Sequence, residues 1–315
     1  MESHPLVSIV TPSFNQAKFI EETLRSVELQ QYRPIHQIVI DGGSTDGTVE
    51  LLKCWEEREH GPGYTFAWIS ERDRGHADAL NKGFDCVQGE VVGWLNSDDV
   101  YFDRQAVSSS VAAFQAHPDV DAVYGEVALI SENSGLQMIL CFPKFDHARA
   151  LRGCTVSQPT VFLRRSVTDK YRLDPALWGP IDFVYWLQMG REHKFLKIHR
   201  IQAGDRDHGA RISRVSHDAL MKAGRRACAA FGAKEKANPI ALFQDFLWLR
   251  LLRVTALFWL LLLLTRRRRL KDLAFPMWID SVPKVLARQL MMRVHDRGSL
   301  GPRPSYPIGE PHTEE

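Results

Sequence analysis

The sequence has no two cysteines in C-x-x-C spacing. Its 5 cysteines (Cys54, Cys86, Cys141, Cys154, Cys228) are scattered and odd in number. This excludes a disulfide scaffold and a cysteine zinc site, and points to reduced thiols in a cytosolic setting. Basic charge is not in excess: 40 Lys+Arg against 38 Asp+Glu leave a formal net charge of +2. A nucleic-acid protein would show a basic face or a pI above about 9, so no nucleic-acid partner is expected. There is no internal repeat. Met1 to Pro5 carries no basic n-region and no apolar h-region follows, so no secretory signal is expected. The first apolar run leads into Pro12-Ser13-Phe14-Asn15, which is neither basic nor glycine-rich. A triphosphate-cradling loop, and with it a nucleotidyltransferase, is disfavoured.

A globular protein is what the composition describes, with 44% hydrophobic and 25% charged residues. Leu6 to Thr11 reads as a strand, and Phe19, Ile20, Thr23, Leu24 and Val27 recur at helical spacing. Gln37 to Ile40 is a second strand, followed by a turn at Gly42 to Gly47 and a helix through Val49, Leu52 and Glu56. Phe66 to Ser70, Gly75 to Cys86 and Val91 to Leu95 read as strand, helix and strand. This alternation with short connections predicts a parallel sheet flanked by helices. Beyond it come a helix ending near Pro118, a hairpin from Ala122–Ile130 to Gln137–Phe142, a helix over Asp182–Gly190, a strand over Phe195–Ile201 and a polar helix over Arg214–Phe231.

Three strand ends carry oxygen-rich tips: Thr11 to Asn15, Asp41 to Asp46, and Asn96-Ser97-Asp98-Asp99. In a parallel sheet all three emerge on one edge, where open α/β sheets bind ligands. The adjacent carboxylates of Asp98 and Asp99 repel each other and suit a hard cation such as Mg²⁺ or Mn²⁺ shared with phosphates. A helix cap at this strand-to-helix junction is the other use for such an acid.

Taken together, Val7 to Asn15, Ile38-Val39-Ile40-Asp41-Gly42-Gly43-Ser44-Thr45-Asp46-Gly47-Thr48, Glu71 to Gly75 with Asp78 to Gly83, and Gly93 to Asp99 resemble the family 2 glycosyltransferases of the GT-A fold. Weaker similarity runs through Ser157 to Phe162, Asp182 and Arg206-Asp207-His208 to about residue 213. The resemblance implies a Rossmann-like, mostly parallel central sheet over 1–213 and an inverting transfer from a nucleoside-diphosphate sugar, most often a UDP-sugar. It implies that Asp41 bonds the nucleobase, where a carboxylate accepting an imide N–H favours uracil. Thr11, Pro12 and Asn15 would line the nucleoside pocket, and Arg74 and Asn81 would join the donor site. Asn96 and Asp98 would face the ribose as part of the family's Asp-x-Asp signature, whose leading acid is Asn96 here. Asp99 would hold Mn²⁺ or Mg²⁺, with His208 as a second ligand. Asp182, heading a helix, would be the general base, a role that typically contributes ~10²–10⁴-fold. Capping that helix is its bland alternative. Lys82, His76 and Asp78 could serve the phosphates or the sugar. Trp178 is a candidate stacking platform, and Trp94 reads as core.

The C-terminal hundred residues lie outside the resemblance. Val254 to Leu264 is apolar and is followed by Arg266 to Arg269. As a helix that run spans only about 16 Å, against a bilayer core of about 30 Å. Extending it back to Ile240 brings in Asp245, Arg250 and Arg253. Each would cost about 2.5–3.5 kcal/mol at a helix centre, which roughly cancels the apolar gain. A full span would also put the four arginines outside, against the positive-inside tendency. The expectation is a helical extension over 214–297 whose segment 240–265 lies on or re-enters the membrane, with 266–269 at anionic headgroups. A soluble docking helix is the alternative. Residues 298–315 read as a disordered tail. The whole reads as a metal-dependent inverting glycosyltransferase at the cytoplasmic face of the cell membrane. Its acceptor would be a glycan or lipid-linked hydroxyl in envelope synthesis. The rival is an inactive nucleotide-sugar-binding subunit of the same fold.

Overall fold

The computed structural model describes residues 4–177, 179–211 and 216–233. The expected apolar segment 240–265, the basic 266–269, the tail 298–315 and Trp178 lie outside the described residues.

In chain order the elements are β1 (Val7–Ser13), α1 (Ile20–Glu28), β2 (Ile35–Asp41), α2 (Thr48–Glu56), β3 (Tyr64–Ser70), α3 (His76–Asp85), β4 (Val91–Trp94) and β5 (Val100–Tyr101). They continue as α4 (Ala106–Ala116), β6 (Ala122–Ser131), β7 (Leu136–Leu140), α5 (His147–Ala150), a 3₁₀ turn (Gln158–Thr160) and β8 (Phe162–Arg164). The last described are α6 (Arg165–Lys170), α7 (Ile181–Met189), β9 (Phe195–Asp207) and α8 (His217–Ala230). The nine strands form one sheet in the order β3-β2-β1-β4-β8-β6-β9-β5, with β7 hydrogen-bonded to β6.

One side of the sheet, β3-β2-β1-β4, is all parallel. Its inner strands β2, β1 and β4 are covered on both faces, while β3 at the edge is partly exposed. Every residue of β1, β2 and β4 is buried. The chain runs outward from β1 to β3 and then returns to the other flank of β1 as β4. That reversal makes a crevice at the carboxyl ends of β1 and β4, the usual ligand position in such sheets. Gly83 lets α3 lie on β1, since a Cβ there would meet Val10 Cγ1 at 2.3 Å. Helix α1 buries Ile20, Thr23, Leu24 and Val27, the predicted stripe, and its Ile20 and Leu24 join Val39, Leu52 and Trp55.

The other side is mixed: β8 runs antiparallel to both β4 and β6, β9 parallel to β6, and β5 antiparallel to β9. The expected hairpin of β6 and β7 is present and antiparallel. Strand β9 runs six residues past the predicted end at Ile201, because Glu126 to Ser131 of β6 pairs with Ile201 to Asp207. Its register against β6 shifts on both sides of Glu126. At that bulge a Cβ on Gly125 would meet the Arg200 carbonyl oxygen at 2.4 Å, so only glycine fits. The short strands β5 and β8 are absent from the sequence reading.

Helix α8, placed by the sequence reading in the extension, sets Ala227, Cys228 and Phe231 against Phe183 and Leu187 of α7. The five cysteines are unpaired. Among the described residues no helix is long and apolar enough to cross a membrane.

Candidate active site

The loops that follow β1 and β2 are laced together. Ser13, Asp41 and Ser70 are register partners at the ends of β1, β2 and β3. Asp41 is fully buried. Its Oδ2 accepts from the Gly43 and Ser44 backbones (3.1 and 2.9 Å) and from Ser70 Oγ (2.7 Å), and its Oδ1 accepts from Ser44 Oγ. The carboxylate therefore shapes its own loop, and an imide N–H would have to compete with these donors. Asn15 sits at φ 52°, a left-handed conformation that asparagine tolerates. Its backbone N–H donates to Ser44 Oγ (2.7 Å) and its Oδ1 accepts from the Thr45 N–H (2.9 Å). Asp46 accepts from the backbones of Ala17 and Thr48. Burial pulls its pKa up, but these bonds and the Thr48 hydroxyl hold it below the usual carboxylate range. Thr11 and Pro12 are buried at the end of β1. The hydroxyls of Thr11 and Ser13 have no partner, which leaves two buried oxygens at the crevice able to take a ligand's polar group.

Other residues in this region do structural work. Arg74 Nη2 donates to Asp78 Oδ1 at 2.6 Å while its side chain stays 73% exposed, free to meet solvent anions. That bond holds the Asp78 carboxyl below its ordinary pKa. Lys82 pairs with Glu71 at 2.6 Å. Asn81, expected in the donor site, is tied to the fold: its Nδ2 donates to the Leu173 carbonyl (2.7 Å) and its Oδ1 accepts the Leu173 N–H (3.0 Å). Both ends of the amide tie α3 to the segment after α6.

Beyond β4 the acidic tip folds into a network. Trp94 is 2% exposed, and is core as expected. Its Nε1 donates to Asn96 Oδ1 at 2.8 Å, and His76 Nε2 lies 3.2 Å from the same oxygen. Burial lowers the His76 pKa. Asn96 Nδ2 donates to Gln158 Oε1 (2.9 Å), and Gln158 Nε2 donates to the Trp94 carbonyl (2.6 Å). Thr23 of α1 donates its hydroxyl to the carbonyls of Ser97 and Asp99 at 2.9 and 2.7 Å. Neither acid therefore caps a following helix, because Val100 enters β5.

Strand β9 crosses this tip. The Arg206 N–H donates to Asp99 Oδ1 (2.9 Å) and Arg206 Nε to the Asp98 carbonyl (2.7 Å). His208 Nε2 lies 3.0 Å from Asp98 Oδ2, and its ring tilts on Phe19 at 4.7 Å. Asp99 was expected to be the main metal ligand. Instead its carboxylate is 3% exposed and turned to the β9 backbone, and Asp98 is the acid beside His208. Burial, then the charges of Asp98 and Asp205, raise the Asp99 pKa well above the usual carboxylate range. Asp205 pairs with Arg211 at 2.7 Å, and burial still raises its pKa. Asp182 opens α7 within the field of Asp205 and Arg211. Its pKa is raised by burial first, with Asp205 adding to it. A carboxyl with a raised pKa is a better proton acceptor from a hydroxyl.

The structure therefore brings Asp98, Asp99, His208, Asp205, Arg211 and Asp182 into one electrostatic group. Asp205, Arg211, Gln158, Arg206 and Phe19 had no site role in the sequence reading. Gln158 and Arg206 lie in segments that carry the resemblance, while Asp205 and Arg211 gave no sequence signal. For a divalent cation, the Asp98 carboxylate and the His208 imidazole form an oxygen and nitrogen pair suited to Mn²⁺. Among the described residues no three His, Cys, Asp or Glu groups are arranged to hold a metal ion by themselves. The pair fits a cation whose remaining ligands come from phosphate and water.

The sequence profile described as Glycosyl transferase family 2 matches residues 8–172. An uncharacterized glycosyltransferase of Mycobacterium tuberculosis is 37% identical over 126 residues, covering 40% of this chain and 46% of that protein. The match thus spans about half the length of that relative. A Bacillus subtilis glycosyltransferase named for teichuronic acid biosynthesis, TuaG, is 28% identical over 189 residues, 59% of this chain and 72% of that one. Among solved structures, S. aureus TarS with UDP-GlcNAc aligns with a TM-score of 0.55 at 15% identity over 73% of this chain and 68% of that chain. A mannosyltransferase from Pyrobaculum calidifontis, solved with GDP-Man and Mn²⁺, aligns at 0.52 and 18% identity over 94% of this chain and 89% of that one. These two likenesses show the fold, a GT-A-like α/β arrangement whose sheet is mixed and flanked by helices.

Proposed function

The chain belongs to glycosyl transferase family 2, and on that premise we propose that it moves a sugar from a nucleoside-diphosphate sugar to an acceptor hydroxyl with inversion. The enzyme class follows from the family; the donor, the metal and the acceptor are the proposal. The observation that supports it most is the meeting of the Asn96–Asp99 tip with His208, 3.0 Å from Asp98, at the carboxyl edge of β4, with Asp182 linked to the same group through the charge of Asp205. Asp182 accepts the acceptor's proton, and its raised pKa suits it to that task. Asp98 and His208 would hold Mn²⁺ or Mg²⁺, which when bound supplies charge neutralisation for the departing diphosphate. Thr11, Ser13 and Asn15 line the nucleoside side, and Asp41 keeps the 42–48 loop in shape for it. Arg74 reaches toward the phosphates from its exposed loop.

A UDP-sugar is the proposed donor. Asp41 is occupied by its own loop, so GDP is the necessary control. The acceptor is a glycan or lipid-linked hydroxyl of envelope synthesis, a reading supported by the name of the Bacillus subtilis relative. Attachment to the cytoplasmic face of the membrane through 240–269 rests on the sequence. Sedimentation of the full chain with membranes after lysis without detergent tests it, and recovery in the supernatant rejects it.

The deciding experiment is calorimetric titration of UDP and of GDP, in Mn²⁺ and in EDTA, on wild type and Asp98→Ala. Metal-dependent UDP binding that the substitution removes is the expected result. Metal-independent binding rejects the metal assignment, and a preference for GDP rejects the uridine donor.

A further inference from the structure

Among the described residues Arg206 is the only arginine that is fully buried, at 0% exposure. A guanidinium taken out of water is tolerated only where its donors are satisfied. Those of Arg206 reach three separate parts of the fold. Nε donates to the Asp98 carbonyl (2.7 Å) in the acidic tip. Nη1 donates to the Glu132 carbonyl (3.0 Å) and to Ser134 Oγ (2.8 Å) at the turn between β6 and β7. Nη2 donates to Glu22 Oε2 (2.8 Å) on α1. Its backbone N–H holds Asp99 Oδ1.

Two further observations tie this hub to the site rather than to stability alone. Alternate residues of a strand share a face, so Arg206 and His208 leave β9 on the same side. Both meet the Phe19 ring, the guanidinium carbon at 5.1 Å and the imidazole at 4.7 Å from its centroid. Phe19 is thus a common stop for the cation and for the imidazole that faces Asp98. The hairpin turn is also pinned from a second side, because Ser134 Oγ donates to Glu22 (2.6 Å) and Lys18 pairs with Glu132. Ser134 itself holds φ 61°.

We propose that Arg206 is a positioning residue for sugar transfer: it fixes the Asp98–Asp99 backbone from β9 and clamps the β6–β7 turn against α1. The Asp98–His208 pair is thereby aimed at the donor. This rests on the nucleotide-sugar reading above. Lysine keeps the charge but lacks the planar fork that reaches several acceptors at once, so Arg206→Lys separates charge from geometry.

The test uses the full chain as wild type, Arg206→Lys and Glu22→Gln. It measures thermal melts, calorimetric UDP and GDP affinity in Mn²⁺, and kcat and KM for the donor well below the melting midpoint. Arg206→Lys is expected to melt cooperatively and to lose on the order of 10²-fold in kcat, with donor KM little changed, as a misaimed group does. Glu22→Gln, which frees only one arm of the guanidinium, should give a smaller fall in kcat. Wild-type kcat in a folded Arg206→Lys overturns the proposal and leaves the reading standing. If that variant does not fold, an unchanged kcat in Glu22→Gln overturns it. A wild-type chain that binds neither UDP nor GDP rejects the nucleotide-sugar reading, and this proposal with it.

Discussion

The two halves of the sheet use carboxylates in opposite ways. Behind the parallel strands, Asp46 and Asp78 take hydrogen bonds from neighbouring backbones and from Arg74, and their pKa values are lowered. At the junction of β4, β9 and α7, Asp99, Asp205 and Asp182 are crowded by burial and by one another, and theirs are raised. The first set builds loops; the second stores unfavourable charge where a proton or a cation would relieve it. Perturbation of that kind, by burial together with charge partners in a cleft, is what active sites favour.

The contrast can be broken from either side. The largest effect should come from Asp182→Asn, which keeps the shape and removes the base: transfer falls by ~10²–10⁴-fold while calorimetric UDP affinity stays unchanged. Arg206→Met should cost about 1–3 kcal/mol of unfolding free energy in urea, because the Asp98 and Glu132 carbonyls lose their buried donor. The pH dependence of stability sharpens the comparison. A raised Asp205 binds its proton more tightly folded than unfolded, so the folded chain loses stability as pH rises from about 4 toward the folded pKa. Asp205→Asn removes that downward slope. Asp46 does the reverse: its contribution is complete above about pH 4 and is lost as pH falls through its depressed folded pKa. Asp46→Asn should therefore flatten the acid side, and denaturant titrations across pH read both slopes. The smallest effect is expected from Lys194→Ala, which removes an exposed 2.8 Å pair with Asp119 and should shift stability by less than about 1 kcal/mol.

How much could be read in advance follows the same boundary. Strands β1 to β4 and helices α1 to α3 appear in the sequence within a few residues of where they lie. These strands are rich in apolar residues, and the helix stripe at Ile20, Thr23, Leu24 and Val27 has a clear period. In the mixed half, β5 has two residues and β8 three, too few for any period. These strands exist because β9 and β4 offer edges to them. The far end of β9, Gln202 to Asp207, reads as a polar loop. It is a buried strand because Asp99, Glu22 and Arg211 satisfy its charged groups. The same cause limits the site reading. The resemblance names Asp98, Asp99 and His208, but which acid faces the imidazole depends on a backbone N–H arriving from Arg206, more than a hundred residues along the chain. The pairing of Asn81 with Leu173 is hidden in the same way, since the two lie far apart in sequence.

Strand β9 and the residue that follows it carry Asp205, Arg206 and His208 within a few residues of one another, at about 3.3 Å of rise per residue. Their mutual spacing is therefore a property of the polypeptide backbone and owes nothing to how separate loops happen to fold. What can vary is only the phase of the whole set, and the bulge opposite Gly125 is where that phase is chosen. A residue inserted or deleted between Ile198 and Arg200 would turn His208 and Arg206 to the opposite face together. Divergence in this chain should thus proceed by substitution around the strand, with length changes confined to segments that leave its phase alone.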